Sequence, residues 1–205
     1  MKRISGENLF TILSRVAQKD PVTVAEFDLR RRVEIVMTAG LALLYAHARG
    51  VIHRDVKPEN IWVGNFGEVI LLDWGVAKVW GQPDDGPGRP QVIQQEEADQ
   101  SLTMAGDRPG TPLYMSPEQV NTNRATIDER SDIFSMGVVL YEAIALREPF
   151  RGRVIQETFE NIIHNDPCPP STLAPEKNTP KELDDIVMKA LEKKPANRFQ
   201  TMQEM

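Results

Sequence analysis

The eight residues from His53 to Asn60, which read HRDVKPEN, constrain this chain more than any other feature. A second motif, the tripeptide DWG that starts at Asp73, follows Asn60 by thirteen residues. Asp55 and Asn60 are too far apart to share a helical turn, and Pro58 discourages helix at the residue before it. We therefore expect a loop to bring the two side chains together. A polar turn that spells these letters by chance is the plain alternative.

The two motifs resemble the catalytic loop and the magnesium loop of the eukaryotic-like Ser/Thr protein kinases. The resemblance implies that Asp55 accepts the proton of the attacking hydroxyl and that Lys57 holds the transferred phosphate. It also implies that Asn60 and Asp73 ligate Mg²⁺, an ion that prefers hard oxygen ligands. His53 would then be a structural residue that packs against the aromatic residue of the second motif. In phosphoryl transfer the protein mainly positions the reacting groups and neutralises charge, and these residue types can do both.

A third motif, GTPLYMSPE, ends at Glu118 and is similar to the substrate-docking loop of the same family. The resemblance implies that Thr111 bonds both Asp55 and Lys57, which would tie substrate docking to the base. It also pairs Glu118 with Arg198, in the later motif KPANR. A buried carboxylate needs such a partner, because removing one half of a buried pair costs about 3–5 kcal/mol. The alternative is that Arg198 is an ordinary solvated charge.

The segment from Asp132 through Leu146 is apolar on every side, which is typical of a helix in the interior of a large lobe. It matches the central buried helix of the kinase family, whose first aspartate anchors the backbone of the catalytic loop. The resemblance therefore implies that Asp132 is a structural anchor. A plain N-cap carboxylate is the alternative, and one residue can serve both purposes.

Residues 79–110 contain many polar residues and prolines and few residues to bury, which predicts a long flexible activation loop. Ser101 and Thr103 lie where the kinase family carries activating phosphorylation. The resemblance implies that Arg54 and Lys78 grip that phosphate, since the added charge needs a basic receptor. The alternative is that Thr103 is an ordinary loop hydroxyl.

Apolar periodicity predicts a mainly α-helical α+β fold with short strands around the first two motifs. We expect one helix from Leu9 to Val16, ended by Pro21, and a longer one from about Phe27 to His47. The predicted buried face of the longer helix comprises Leu29, Val33, Val36, Gly40 and Leu44.

Short strands are predicted near Ile61–Val63 and Glu68–Leu72, and the four residues between them form a turn. A later apolar stripe runs from Leu183 to Leu191. We expect a capping box of Thr179 and Glu182 to begin that helix.

The chain contains no G-x-G-x-x-G motif, which the kinase family uses over the phosphates. The resemblance therefore covers residues 1–205 as the hinge and C-terminal lobe only. It places Lys2 and Ile4 at the hinge that pairs with adenine, and Trp62 beneath the adenine. We expect the N-terminal lobe to be absent from this chain, and the chain by itself to lack activity. The chain is then either a fragment of a longer kinase, with that lobe encoded upstream, or a short protein.

Composition sets the remaining limits. The chain has 205 residues, enough for one substantial core, and its net charge of −6 gives no electrostatic footprint for nucleic acid. The single Cys168 excludes an internal disulfide. No apolar run approaches a membrane span and no signal peptide opens the sequence, so we expect a cytoplasmic protein. His47 and His164 are interpreted as helix-end and surface residues.

The hypothesis with most support is a Ser/Thr protein kinase that transfers the γ-phosphate of ATP to protein substrates, with ATP and Mg²⁺ as cofactors. The alternative is a non-enzymatic kinase lobe that docks protein partners. A third hypothesis is a metal-dependent hydrolase that uses His53, Asp55 and Asp73, and it requires His53 to be a metal ligand.

Overall fold

The computed structural model describes residues 5–75, 77–79, 112–121, 127–173 and 179–205. Five predicted site residues lie outside these ranges, together with most of the predicted activation loop: Lys2, Ile4, Ser101, Thr103 and Thr111. The described residues form eight α-helices: α1 (Leu9–Ala17), α2 (Pro21–Glu26), α3 (Leu29–His47), α4 (Pro117–Val120), α5 (Glu129–Ala145), α6 (Ile155–His164), α7 (Pro170–Leu173) and α8 (Lys181–Ala190). None of these helices combines the length and apolarity needed to cross a membrane.

The strands are short and build two small antiparallel sheets among the described residues. Three of them, β1 (Gly6–Asn8), β3 (Ile61–Gly64) and β4 (Val69–Leu71), form one sheet in the order β1-β3-β4. The other two, β2 (Val51–Ile52) and β5 (Lys78–Val79), pair with each other. The predicted strands around the first two motifs are therefore present, with ends that differ by one residue. Both sheets border the catalytic loop, because β2 precedes it and β3 follows it.

Helix α5 lies at the centre of the core, as its apolar composition predicts. Every residue from Ser131 to Ile144 is buried. The helix begins before Asp132, because Asp128 is the N-cap and its carboxylate accepts a hydrogen bond from the main-chain nitrogen of Arg130. The alternative reading of Asp132 as the N-cap is thus wrong. Asp132 lies in the first turn and is free to bond outside the helix.

Helix α3 buries a wider face than the sequence predicts. Its buried residues are Arg32, Ile35, Val36, Ala39, Gly40, Leu43 and Ala46. Of the predicted face, Leu29, Val33 and Leu44 are only partly buried. The helix contacts both α5 and β4, and a helix that packs against two elements buries more than a single stripe.

Helix α8 does not begin with the predicted capping box. Pro180 occupies the N-cap position, and no side chain caps the helix there. Thr179 lies one residue before the N-cap position and does not cap the helix. The side chain of Pro180 has no acceptor atom that could do so. The apolar stripe of α8 packs as expected, with Val187, Ala190 and Leu191 fully buried. The chain places a capping box instead at α4, between Ser116 and Gln119.

Gly137 allows α5 and α8 to approach each other closely. A Cβ atom at this position would lie 2.8 Å from the Cβ of Ala190 and 3.2 Å from a methyl of Leu191. We expect Gly137→Ala to destabilise the chain, because overpacking costs about 1–3 kcal/mol and outweighs the roughly 1 kcal/mol gained in helix propensity. Urea unfolding measures the change.

Gly40→Ala in α3 is the matched control. Its new Cβ would meet only the flexible end of Met202, at 3.2 Å. That methionine can move aside, so we expect stability to be unchanged or raised by up to about 1 kcal/mol. If both substitutions had the same effect, the close contact of α5 with α8 would not be the cause.

Candidate active site

The buried carboxylate of Asp132 holds the main chain of the catalytic loop. One oxygen accepts a hydrogen bond from the main-chain nitrogen of His53, and the other accepts one from that of Arg54, both at 2.8 Å. Arg54 has a φ of 69°, a left-handed conformation that non-glycine residues rarely adopt. Two charge-assisted bonds from one rigid helix stabilise this turn of the backbone, which leads directly into Asp55.

His47 is a second partner of Asp132, and the sequence did not indicate it. Its Nε2 atom lies 2.8 Å from the carboxylate oxygen that also bonds His53. The imidazole is buried at the last turn of α3, and its Nδ1 atom has no hydrogen-bond partner. The available sequence signal is a histidine in the last turn of a helix that ends shortly before the catalytic motif.

Asp55 lies among polar groups that fix its orientation. The Nζ atom of Lys57 donates to the Asp55 carboxylate at 2.7 Å. The amide nitrogen of Asn60 donates to the same carboxylate oxygen at 3.1 Å and to the main-chain oxygen of Asp55 at 2.8 Å. A 3₁₀ turn, Pro58–Asn60, brings Asn60 back toward the aspartate. The loop expected from the sequence therefore joins Asp55, Lys57 and Asn60 in one cluster, with the carboxylate about one-third exposed.

Asp73 follows a residue whose main chain is bonded to Asn60. The main-chain oxygen of Asn60 accepts a hydrogen bond at 2.8 Å from Leu72, the residue before Asp73. Asp73 adopts a left-handed φ of 60° and is exposed. The side-chain amide nitrogen of Asn60 bonds Asp55. The side-chain oxygen of Asn60 is therefore the atom that can ligate a cation. One amide oxygen and one exposed carboxylate form a donor set that fits Mg²⁺.

His53 uses both ring nitrogens in structural hydrogen bonds. Nδ1 accepts from the main-chain nitrogen of Asp55 at 3.3 Å, and Nε2 lies 3.0 Å from the main-chain oxygen of Leu72. A main-chain N–H only donates and a carbonyl only accepts, so Nε2 carries the proton. The ring of Trp74 packs 4.5 Å away. No lone pair is left for a metal ion, which contradicts the hydrolase hypothesis. Among the described residues, no three His, Cys, Asp or Glu side chains cluster as a metal site.

Glu118 and Arg198 form a bidentate pair inside the protein. The two guanidinium NH₂ groups donate to the two carboxylate oxygens at 2.7 and 2.9 Å, and Ser131 adds a third bond at 2.6 Å. Arg198 also donates to three main-chain oxygens and is 2% exposed. Burial alone would raise the pKa of Glu118, but the bonds from Arg198 and Ser131 outweigh it and lower that pKa.

The docking segment, defined here as residues 112–120, is also anchored to α5 by two bonds that the sequence did not indicate. The Tyr114 hydroxyl donates to the buried carboxylate of Glu142 at 2.6 Å. The hydroxyl of Ser135 donates to the main-chain oxygen of Tyr114 at 2.6 Å. Burial, and then the charge of Glu142, raises the pKa of Tyr114 well above its ordinary value. The phenol is therefore a neutral donor over the whole physiological range.

For the remaining predicted residues, Trp62 and Lys78, the structure describes only some of the expected partners. Trp62 lies in β3 opposite Asn8, is half-buried, and its Nε1 atom is 3.4 Å from the main-chain oxygen of Ser5. Lys78 pairs through its main chain with Ile52, two residues before Arg54. That register brings the main chain of Lys78 near the catalytic loop. The residues expected to carry the phosphate, Ser101 and Thr103, lie outside the described ranges.

Comparison with known proteins identifies the class. A family model for the protein kinase domain matches residues 1–205. The chain is 35% identical over 173 residues to the serine/threonine-protein kinase PknD of Protochlamydia amoebophila, covering 84% of this chain and 17% of that protein. It is 33% identical over 217 residues to PknD of Chlamydia trachomatis serovar D, covering 100% and 22%. It is 38% identical over 176 residues to the kinase PknB of Mycolicibacterium smegmatis, covering 86% and 25%.

This chain therefore belongs to the protein kinase family, and the three relatives named above are bacterial serine/threonine kinases of the eukaryotic-like type. It spans about a fifth of the length of these curated relatives. The mainly helical α+β fold predicted from the sequence is confirmed. The alternative of a non-enzymatic binding module is not favoured, since the matched relatives are named as kinases.

We expect Glu118→Gln to lower the free energy of unfolding by about 3–5 kcal/mol, because it leaves Arg198 buried without a counter-charge. The pKa of Glu118 in the folded chain is lower than its ordinary value of 4.5. The stabilisation is therefore fully present above that value and is lost as the pH falls through the lower folded pKa. The variant is expected to lose this part of the acid sensitivity. Urea unfolding as a function of pH measures both effects.

Glu34→Gln is the control for this prediction. Glu34 pairs with the largely exposed Arg30 at 3.0 Å, and exposed pairs contribute about 0–1 kcal/mol. Equal losses in the two variants would contradict a special role for the buried pair.

Proposed function

We propose that this chain carries the catalytic base and the metal ligands of a Ser/Thr protein kinase. The reaction is transfer of the γ-phosphate of ATP to Ser or Thr hydroxyls of protein substrates. The observation that carries the proposal is the joint placement of Asp55, Lys57 and Asn60 on a loop whose backbone Asp132 holds. That arrangement suits a reaction in which the protein mainly positions groups and compensates charge.

Asp55 is the proposed general base. Its carboxylate is partly exposed and held by donors from Lys57 and Asn60, so it is oriented without being sealed from a substrate hydroxyl. A base must lie within hydrogen-bond reach of the proton that it accepts. In the proposed complex Lys57 moves its ammonium group from the carboxylate to the transferred phosphate. Thr111, which lies outside the described residues, is proposed to bond both side chains.

Protein kinases in general use ATP and Mg²⁺, and two residues of this chain are the proposed metal ligands. The amide oxygen of Asn60 and the carboxylate of Asp73 are hard donors of the kind that Mg²⁺ prefers. A magnesium ion bound there would neutralise charge on the phosphates. The contact from Leu72 to Asn60 keeps the two ligand-bearing loops together.

We further propose that the 205 residues correspond to the hinge and the C-terminal lobe of the kinase domain. The sequence holds no glycine-rich phosphate loop, and β1 pairs with β3 next to the catalytic loop. Lys2 and Ile4 are the proposed hinge residues and Trp62 the proposed support beneath adenine. The phosphate-holding loop and its lysine would then come from residues beyond these.

Asp55→Asn is expected to lower the phosphoryl-transfer rate by about 10²–10⁴-fold, the usual contribution of a general base. The measurement uses a two-lobe kinase domain that contains this chain. Nucleotide affinity is expected to stay nearly unchanged. Asp73→Asn is expected to weaken magnesium-dependent nucleotide binding, because it removes the charge of a ligand.

Asp185→Asn, which changes an exposed carboxylate of α8, is the control for both variants. We expect it to leave rate and affinity unchanged. Equal effects of Asp55→Asn and Asp73→Asn on nucleotide affinity would contradict the separate roles. Full activity in Asp55→Asn would overturn the assignment of the base.

The proposed regulation is that phosphate on Thr103 or Ser101 orders the activation loop through Arg54 and Lys78. Charge-assisted bonds from clustered donors favour such ordering. We expect loop phosphorylation to raise the activity of the two-lobe domain and Arg54→Ala to abolish this increase. Activity before and after phosphorylation measures it. An undiminished increase in Arg54→Ala would show that the receptor lies elsewhere.

A further inference from the structure

Gln119, in α4, joins the docking segment to the catalytic loop. Its amide oxygen accepts hydrogen bonds from the main-chain nitrogen of Ser116 at 2.9 Å and from the hydroxyl of Ser116 at 3.1 Å. Its amide nitrogen donates to the main-chain oxygen of Arg54 at 2.8 Å. The partners decide the orientation of the amide, since a main-chain N–H only donates and a carbonyl only accepts.

Arg54 is consequently held on both sides of its Cα atom. Asp132 accepts from its main-chain nitrogen at 2.8 Å, and Gln119 donates to its main-chain oxygen. The residue between these two bonds has the left-handed φ of 69°. The peptide unit that Gln119 holds is the one that joins Arg54 to Asp55. Rotation of this unit would change the direction in which the side chain of Asp55 leaves the backbone.

We propose that Gln119 is a positioning residue for phosphoryl transfer, which couples the seating of the docking segment to the orientation of Asp55. This inference rests on the proposed kinase function. The role differs from helix capping, because the cap uses the amide oxygen of Gln119 and the bond to Arg54 uses its nitrogen. One side chain thereby connects the segment that receives the substrate with the loop that carries the base.

The two uses of Gln119 can be separated by substitution in the two-lobe kinase domain. Gln119→Glu keeps the oxygen that accepts from Ser116 but has no N–H for Arg54. Gln119→Met removes both bonds without adding charge. We expect both variants to lower kcat by about ten- to a hundredfold, as small misplacements of a catalytic group do. The KM for ATP is expected to stay unchanged, and only Gln119→Met is expected to lower the melting temperature.

Gln156→Met is the matched control. It makes the same side-chain change at an exposed position of α6, outside the docking segment and the catalytic loop. We expect kcat to remain within about twofold of the wild type, since surface substitutions away from such contacts usually have little effect. Wild-type kcat in Gln119→Glu and Gln119→Met would overturn the inference. A kcat loss confined to Gln119→Met, in step with its melting temperature, would assign only the cap and overturn it as well.

Hydrogen exchange of the main-chain amide of Arg54 gives a second readout that needs no kinase activity. Its bond to Asp132 protects this amide in the 205-residue chain. We expect exchange to become about tenfold faster in both Gln119 variants and to stay unchanged in Gln156→Met, because local opening sets the rate. If the wild type transfers no phosphate, the proposed function fails and the exchange rates decide the inference alone. Unchanged protection in both Gln119 variants overturns it.

Discussion

The position of the catalytic loop depends on one buried carboxylate. Asp132 is fully buried, and an ionised group in that environment is costly unless hydrogen bonds satisfy it. Its bonds to His53, Arg54 and His47 provide this compensation. The same bonds hold a stretch of backbone that the local sequence would not adopt alone. One set of hydrogen bonds thus both stabilises the buried carboxylate of Asp132 and holds the catalytic loop in its observed geometry.

The first turn of α5 organises the docking segment as well as the catalytic loop. Ser131 donates to Glu118 in the docking segment, and the next residue, Asp132, bonds the catalytic loop. Because α5 is buried on all sides and packs against α3 and α8, neither residue can shift independently. A rigid helix carrying two adjacent polar anchors keeps the docking segment and the catalytic loop in register.

The sequence predicted the features that depend on short runs of residues. The catalytic motif, the strands beside it and the buried α5 each leave a local pattern of spacing or composition. The bond from His47 to Asp132 spans 85 residues and that from Gln119 to Arg54 spans 65, and such contacts leave no local pattern. The predicted start of α8 is wrong by one residue. Thr179 and Glu182 have the spacing of a capping box in the sequence whether or not Thr179 occupies the N-cap position. The wider buried face of α3 results from its contacts with both α5 and β4. Apolar periodicity in the sequence does not identify these neighbours.

The long sequence separation of these bonds has a consequence for the order of folding. The contact of Asp132 with His53 closes a loop of 79 residues, and that of Glu118 with Arg198 closes one of 80. Closing long loops costs chain entropy before any contact repays it, so such pairings form late. We therefore expect the catalytic loop to acquire its left-handed turn only after α5 has docked. A partly folded chain would then lack an ordered catalytic site, and the site would assemble as the core is completed.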